Sequence, residues 1–366
     1  MNTRREFMTA SAGIAALGLL GSEQSSGQSS GGLNILVLGG TGFIGPHFVR
    51  HASERGHKIT LFNRGRTNTH LFPEAEKLVG DRNDNLSALE GRRWDAVLDN
   101  SGYTPLQVRQ SVDLLKNSCD QYLFTSTRAV YTDFIPAVMD EDAPVGPKGI
   151  PESEWSGYGP NKVLAERIVQ EAFGARTLIT RPPVIVGPGD RTDRFTYWVD
   201  RLDEGGEILV QGHHADPIQF VDVRDLSEFY VRLLENSTTG IYNTEGPQAK
   251  LDTAGLVHGI RAITATPSNL NWVPWGFLVE QGEVPQDTVV FWNRPSGRYL
   301  NYGRMDNTRA IDKGMKFRPL ATIAQDTLAW HRTRSAEAQA TLRAGLTRDR
   351  ERELLRLYRD HNYKSL

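Results

Sequence analysis

Tyr158 and Lys162 stand four residues apart in "YGPNK", a spacing that puts both side chains on the same side of a helix. A free phenol, with a pKa of about 10, is a poor base at neutral pH. A neighbouring ammonium favours the phenolate, which can then accept the proton of a substrate hydroxyl while hydride leaves the carbon that carries it. Upstream, "FTSTRAVY" closes an apolar run, and Thr127 within it can hold the substrate oxygen by a hydrogen bond. Tyr-x-x-x-Lys alone recurs by chance, so its meaning depends on the surrounding sequence.

That surrounding includes a phosphate cradle. In "GGTGFIG", Gly39, Gly42 and Gly45 recur at three-residue spacing directly after an apolar strand and before a helical stretch. The first glycine suits a tight turn, the second lets backbone N–H groups approach a pyrophosphate, and the third lets helix and strand pack closely. Phe43 and Ile44 inside the cradle, and Asn100 after a later strand, join them as candidate cofactor contacts. Eighteen residues beyond Gly45, where an acid would grip the adenosine ribose, stands Asn63, followed by Arg64 and Arg66. Without the carboxylate, repulsion toward a 2′-phosphate is gone, so NADP is allowed beside NAD. Asp81, with Arg82 after it, closes the third strand as a candidate adenine contact; a turn-forming Asp is the competing reading.

These residues need an α/β frame. Short runs rich in apolar residues ("LNILVLGG", "HKITLFNR", "EKLVGD", "WDAVLDNS", "QYLFTST", "TLITRPPVIVG") alternate with stretches of helical spacing, the signature of a parallel sheet covered by helices. The expectation is a Rossmann-like, doubly wound parallel sheet over residues 33–187. A smaller, partly interleaved substrate lobe follows over 188–320, and a helical tail over 321–366. Lys plus Arg (42) nearly balances Asp plus Glu (44), so no global field draws the chain to nucleic acid. Cys119, the sole cysteine, rules out an intramolecular disulfide and reads as an inert core thiol. Trp155, Trp198, Trp272, Trp275 and Trp292 could stack on a sugar ring, with core packing as the rival reading for each. His213, His214 and Asp216 lack a third placed ligand and read as a polar turn, so no metal is expected.

The elements "GGTGFIG", "TSTRAVY", "YGPNK", "RPPVIVGPGD" and "QFVDVRDL" resemble the extended short-chain dehydrogenase/reductase superfamily, in its NAD-dependent epimerase/dehydratase branch. The resemblance runs over roughly residues 33–245 and includes atypical members related to chloroplast RNA-binding proteins. It implies Tyr158 as acid/base, Lys162 orienting the nicotinamide ribose, Thr127 as the catalytic Ser/Thr, and Pro182 and Val184 lining the nicotinamide. Two departures stand out. Sugar-nucleotide 4,6-dehydratases carry Thr-Asp-Glu where this chain has Thr127-Arg128-Ala129, which argues against elimination chemistry. UDP-sugar epimerases place a diphosphate-binding Arg where this chain has Ile218. Arg128, Arg191, Arg194, Trp198 and Arg298 are the candidate substrate contacts.

At the other end, Arg4-Arg5, an apolar run from Ala10 to Leu20 and "SEQSSGQSSGG" resemble a twin-arginine signal with its linker, over residues 1–32. The apolar run falls short of the roughly 20 residues that span a bilayer. That route carries folded proteins, so the resemblance implies a periplasmic enzyme with a tightly bound NAD or NADP that regenerates itself. The expected activity is epimerisation or oxidoreduction of a hydroxyl on a sugar or glycoside, by transient oxidation to a ketone. The export machinery is the expected protein partner, with a homodimer left open. Alternatives are an NAD(P)H-dependent reductase or dehydrogenase of a small carbonyl or alcohol, and a non-catalytic nucleotide-sensing or RNA-binding member.

Overall fold

A computed structural model describes residues 31–283 and 295–364. The Arg4-Arg5 segment with its linker, and Trp292, lie outside the described residues. Six strands, β1 (Asn34–Leu38), β2 (Lys58–Asn63), β3 (Glu76–Val79), β4 (Trp94–Asp99), β5 (Cys119–Thr125) and β6 (Thr177–Arg181), pair in parallel in the order β3-β2-β1-β4-β5-β6. "NILVL" is an almost unbroken apolar run and all five residues of "TLITR" are buried, because both faces of such a sheet are covered. Helices α1 (Ile44–Glu54), α2 (Pro105–Leu115) and α3 (Tyr158–Phe173) supply most of that cover. α2 and α3 pack together on one face, over Phe62, Val97, Phe124 and Ile179; α1 packs on the other. Strand order reverses between β1 and β4, and the crevice at such a switch point is where these sheets take ligands.

Residues 177–187 do not form the continuous strand expected of them. Pro182 and Pro183 offer no N–H to a ladder, so β6 stops at Arg181 and a short β7 (Val184–Val186) begins in a different sheet. β7 pairs with β9 (Pro217–Asp222), which pairs antiparallel with β11 (Gly246–Asp252); β8 (Gly206–Gln211) pairs with β12 (Ser268–Val273). Helices α4 (Arg194–Glu204) and α6 (Thr253–Arg261) enclose a second core of Phe195, Trp198, Ile218, Phe220 and Ile260. Between these elements the chain returns to the large sheet twice. α5 (Val223–Glu235) packs on α1, and β10 (Gly240–Asn243) adds a seventh parallel strand beside β6. A helix at Arg348–Lys364 closes over β8, tied by Glu351 to Arg201 at 2.7 Å and to the Leu209 N–H at 2.9 Å.

Cys119 is buried, its thiol donating to the Leu115 carbonyl, and burial pushes its pKa up to about 12. That environment fits the inert-thiol reading. Among the described residues no group of His, Cys, Asp and Glu could hold a metal ion.

Candidate active site

A cleft of about 880 Å³ opens at the carboxyl ends of β1, β4, β5 and β6. Its floor at β1 is the glycine turn. Gly39 adopts φ +120°, a region that favours glycine, and a side chain there would collide with Asn100. Gly42 faces open space, leaving its backbone approachable, while any Cβ at Gly45 would run into the Gly40 backbone. No side chain caps α1 at Phe43, so the first-turn N–H groups are left to meet an anion. Ser126, 2% exposed on the cleft wall, has a hydroxyl without a hydrogen-bond partner. An uncapped helix end, an approachable glycine and an orphaned hydroxyl fit a dinucleotide laid across the switch point.

Tyr158 opens α3, immediately after Gly157 at φ +93°. The next residue, Gly159, lets the helix touch the turn at residues 128–130: a Cβ there would strike the Ala129 carbonyl. This close approach brings Tyr158 to Thr127. Thr127 caps the turn by accepting from the Ala129 N–H at 3.1 Å, which leaves its O–H to donate. The Tyr158 side chain stands half out into the cleft. The cleft walls raise its pKa, and the Thr127 hydroxyl and the positive charge of Arg194 pull the other way. One turn further, Lys162 is 3% exposed and donates to the Thr125 carbonyl at 2.8 Å. Burial lowers its pKa to about 8, against the pull of the Asp99 carboxylate. Its ammonium sits 4.7 Å from the Phe124 ring centre, 5.6 Å from Tyr103 and 6.0 Å from Tyr158.

Gly39, Gly42, Phe43, Ile44, Gly45, Asn100, Thr127, Arg128, Tyr158, Lys162, Pro182, Val184, Arg194 and Arg298 all line this one cleft. Several other candidates do not. Arg82 is buried behind the wall, forking Asp99 at 2.5 and 2.7 Å and donating to Ser111; it braces β4 and stands off the cleft lining. Asp81 forms the turn that was its rival reading, accepting from the Asn83 backbone and side chain. Asn63 ties its loop together through Gly65 and Gly39, while Arg64 and Arg66 are exposed beyond the lining. Arg191 is on the surface, and Trp198, 1% exposed, belongs to the second core. None of the described tryptophans lines the cleft.

The cleft's aromatic wall escaped the sequence reading. Phe134, Tyr299 and Tyr302 meet ring to ring at 4.9–6.3 Å, joined on the lining by Tyr103 and Tyr131. These residues lie in loops and, for Tyr299, one short 3-10 turn, where no periodicity announces them. Gly102 offered the one local signal for Tyr103, since a Cβ there would hit Val108 and Phe124 and the turn must therefore hug the sheet.

Residues 35–104 and 106–244 match the NAD dependent epimerase/dehydratase family. The chain is 30% identical to the chloroplast stem-loop binding protein of 41 kDa b from Arabidopsis thaliana over 232 residues, 58% of this chain and 58% of that relative, and so spans less than two thirds of its length. It is 25% identical to a dTDP-4-dehydro-6-deoxy-D-allose reductase of a Streptomyces species, over 82% of this chain and 97% of that one. The fold resembles that of the Bordetella bronchiseptica enzyme WbmH, solved in complex with NAD+, with a TM-score of 0.60 and 18% identity over 82% of this chain and 98% of that one. By the family match over most of the large sheet and the whole cleft floor, the chain belongs to the NAD dependent epimerase/dehydratase family.

Proposed function

We propose that this protein is an NAD(P)-dependent epimerase or oxidoreductase that acts on a hydroxyl of a sugar or glycoside by transient oxidation to a ketone. The observation that carries this reading is the meeting of Tyr158, Lys162 and Thr127 with the glycine cradle in a single cleft. A nicotinamide bound there would supply hydride acceptance and return. Thr127 holds the reacting oxygen by the O–H that it turns toward Tyr158, and Tyr158 takes the hydroxyl proton as the carbon–oxygen double bond forms, returning it when the bond is reduced again. Lys162, still charged below about pH 8, favours the phenolate during the transfer.

Ala129 denies the turn the carboxylate that elimination requires. Ile218 is 2% exposed in the second core, so the position expected of a diphosphate-binding arginine presents no charge. The first argues against elimination, and the second supports a substrate without a nucleotide handle. Export through the twin-arginine route to the periplasm, with the cofactor held captive, completes the proposal. The near full-length similarity to a reductase favours one alternative, a net reduction with a cofactor that comes and goes.

Mass spectrometry of nucleotide released from the denatured, purified protein separates the two. About one NAD(P) per chain is expected; an empty protein that binds NAD(P)H reversibly would favour the reductase. Tyr158→Phe should retain nucleotide yet lose turnover by about 10²–10⁴-fold. Full turnover by that variant overturns the acid/base role. Tight, salt-sensitive RNA binding would instead revive the non-catalytic reading.

A further inference from the structure

Four arginines are buried among the described residues: Arg82, Arg128, Arg181 and Arg201. Three of them spend Nε, Nη1 and Nη2 on protein oxygens. Arg82 does so on Ser111, Asp99 and Ser101. Arg181 uses Glu166, Tyr131 and the Glu141 carbonyl, and Arg201 uses Glu351 and the carbonyls of Gly205 and Glu207. Arg128 is the exception. Its direct hydrogen bonds run through Nη1 alone, to the Tyr302 carbonyl at 3.1 Å and Glu245 at 3.3 Å, the Tyr302 side chain adds a further polar contact, and the residue lines the cleft one position after Thr127.

An unspent guanidinium edge in a buried residue costs stability unless something else fills it. The edge left over, Nε with Nη2, is the planar two-donor fork that matches a carboxylate. Its plane is fixed by the Tyr302 ring, over which the guanidinium carbon sits at 3.9 Å. Glu245 neutralises Arg128 incompletely: one of its oxygens has no partner, and burial pushes its pKa up to about 7. Elsewhere on the lining Lys162, Arg194 and Arg298 add positive charge, and Asp190, the one acid among the described lining residues, is occupied by the Thr192 N–H at 2.8 Å and O–H at 2.7 Å.

Resting on the sugar-oxidation reading above, we propose that the substrate is a sugar bearing a carboxylate, held by the Nε/Nη2 edge of Arg128 while the Phe134–Tyr299–Tyr302 wall packs against the ring. The dinucleotide's own phosphates are met at the glycine cradle, so the fork beside Thr127 is left to the substrate.

The test is calorimetric titration of the NAD-saturated protein with methyl glucuronoside, methyl glucoside and glucose 6-phosphate at matched ionic strength. The uronoside should bind about 10–100-fold more tightly than the glucoside, the equivalent of one charge-assisted hydrogen-bonded contact. Arg128→Gln alone leaves Glu245 buried without its partner, so the double variant R128Q/E245Q, which removes both charges, is the working comparison. It should erase the preference, the ratio of uronoside to glucoside affinity falling to about one. Equal affinities in the unmodified protein, no binding of either glycoside, tighter binding of the phosphate, or a preference that survives in the double variant overturns the assignment. Because the readout is binding, a bound uronoside recovered with neither an epimer nor an oxidised product, by NMR of the reaction mixture, overturns the redox reading separately.

Discussion

Lys162 is held where a charged group is poorly solvated, and that has a price in stability. Its pKa falls from an ordinary 10.5 to about 8 in the folded chain. The unfolded chain therefore binds more protons between these values, and stability contributed at this site rises with pH across that window and is lowest below it. Lys162→Met should stabilise the nucleotide-free protein at pH 7 by about 1–2 kcal/mol, the relieved desolvation being partly offset by the lost bond to Thr125. The gain should shrink toward zero between pH 8 and 10.5, as followed by urea unfolding; a destabilised variant at pH 7 would show that the bond outweighs the burial. This residue, with Tyr158 and Thr127, was legible in the sequence because helical spacing and strand-end position are local properties. Arg82 stands away from the cleft because only the folded chain shows that Asp99 claims it, and Trp198 takes the core packing that was its rival reading.

Among the elements, the turn from β1 to α1 separates two uses of glycine that the pattern "GGTGFIG" merges. Gly45 is required by packing and Gly42 by access. Gly45→Val should cost about 1–3 kcal/mol or more in thermal or urea unfolding, since the clash is with backbone that cannot rotate away. Gly42→Ala should leave stability within about 0.5 kcal/mol and weaken nucleotide binding, measured by fluorescence titration. Equal losses of stability in both variants would contradict this division. β1 and β4 were readable from their apolar runs, and the other strands of the large sheet up to Arg181 from apolar stretches alternating with helical spacing. The Pro182-Pro183 break could have been foreseen from proline's missing N–H, whereas β8 to β12 mix polar with apolar residues, so no unbroken apolar run marks them.

Across the whole molecule, the closing helix is held by a buried ion pair, Arg201–Glu351, with side chains 5% and 1% exposed. Glu351→Ala should destabilise by about 3–5 kcal/mol by stranding the Arg201 charge. The double variant Arg201→Met/Glu351→Leu should lose far less, measured by chemical denaturation; equal losses would mean the pair itself carries the stability. The large sheet has a further property at this scale. Its outer strand, β10, lies more than fifty residues after β6, which it covers. A ribosome must therefore release Asn243 before the open backbone edge of β6 can be masked. Until then the nascent chain carries a nucleotide cradle whose frame is unfinished, and the chemistry of the cleft is acquired late in synthesis.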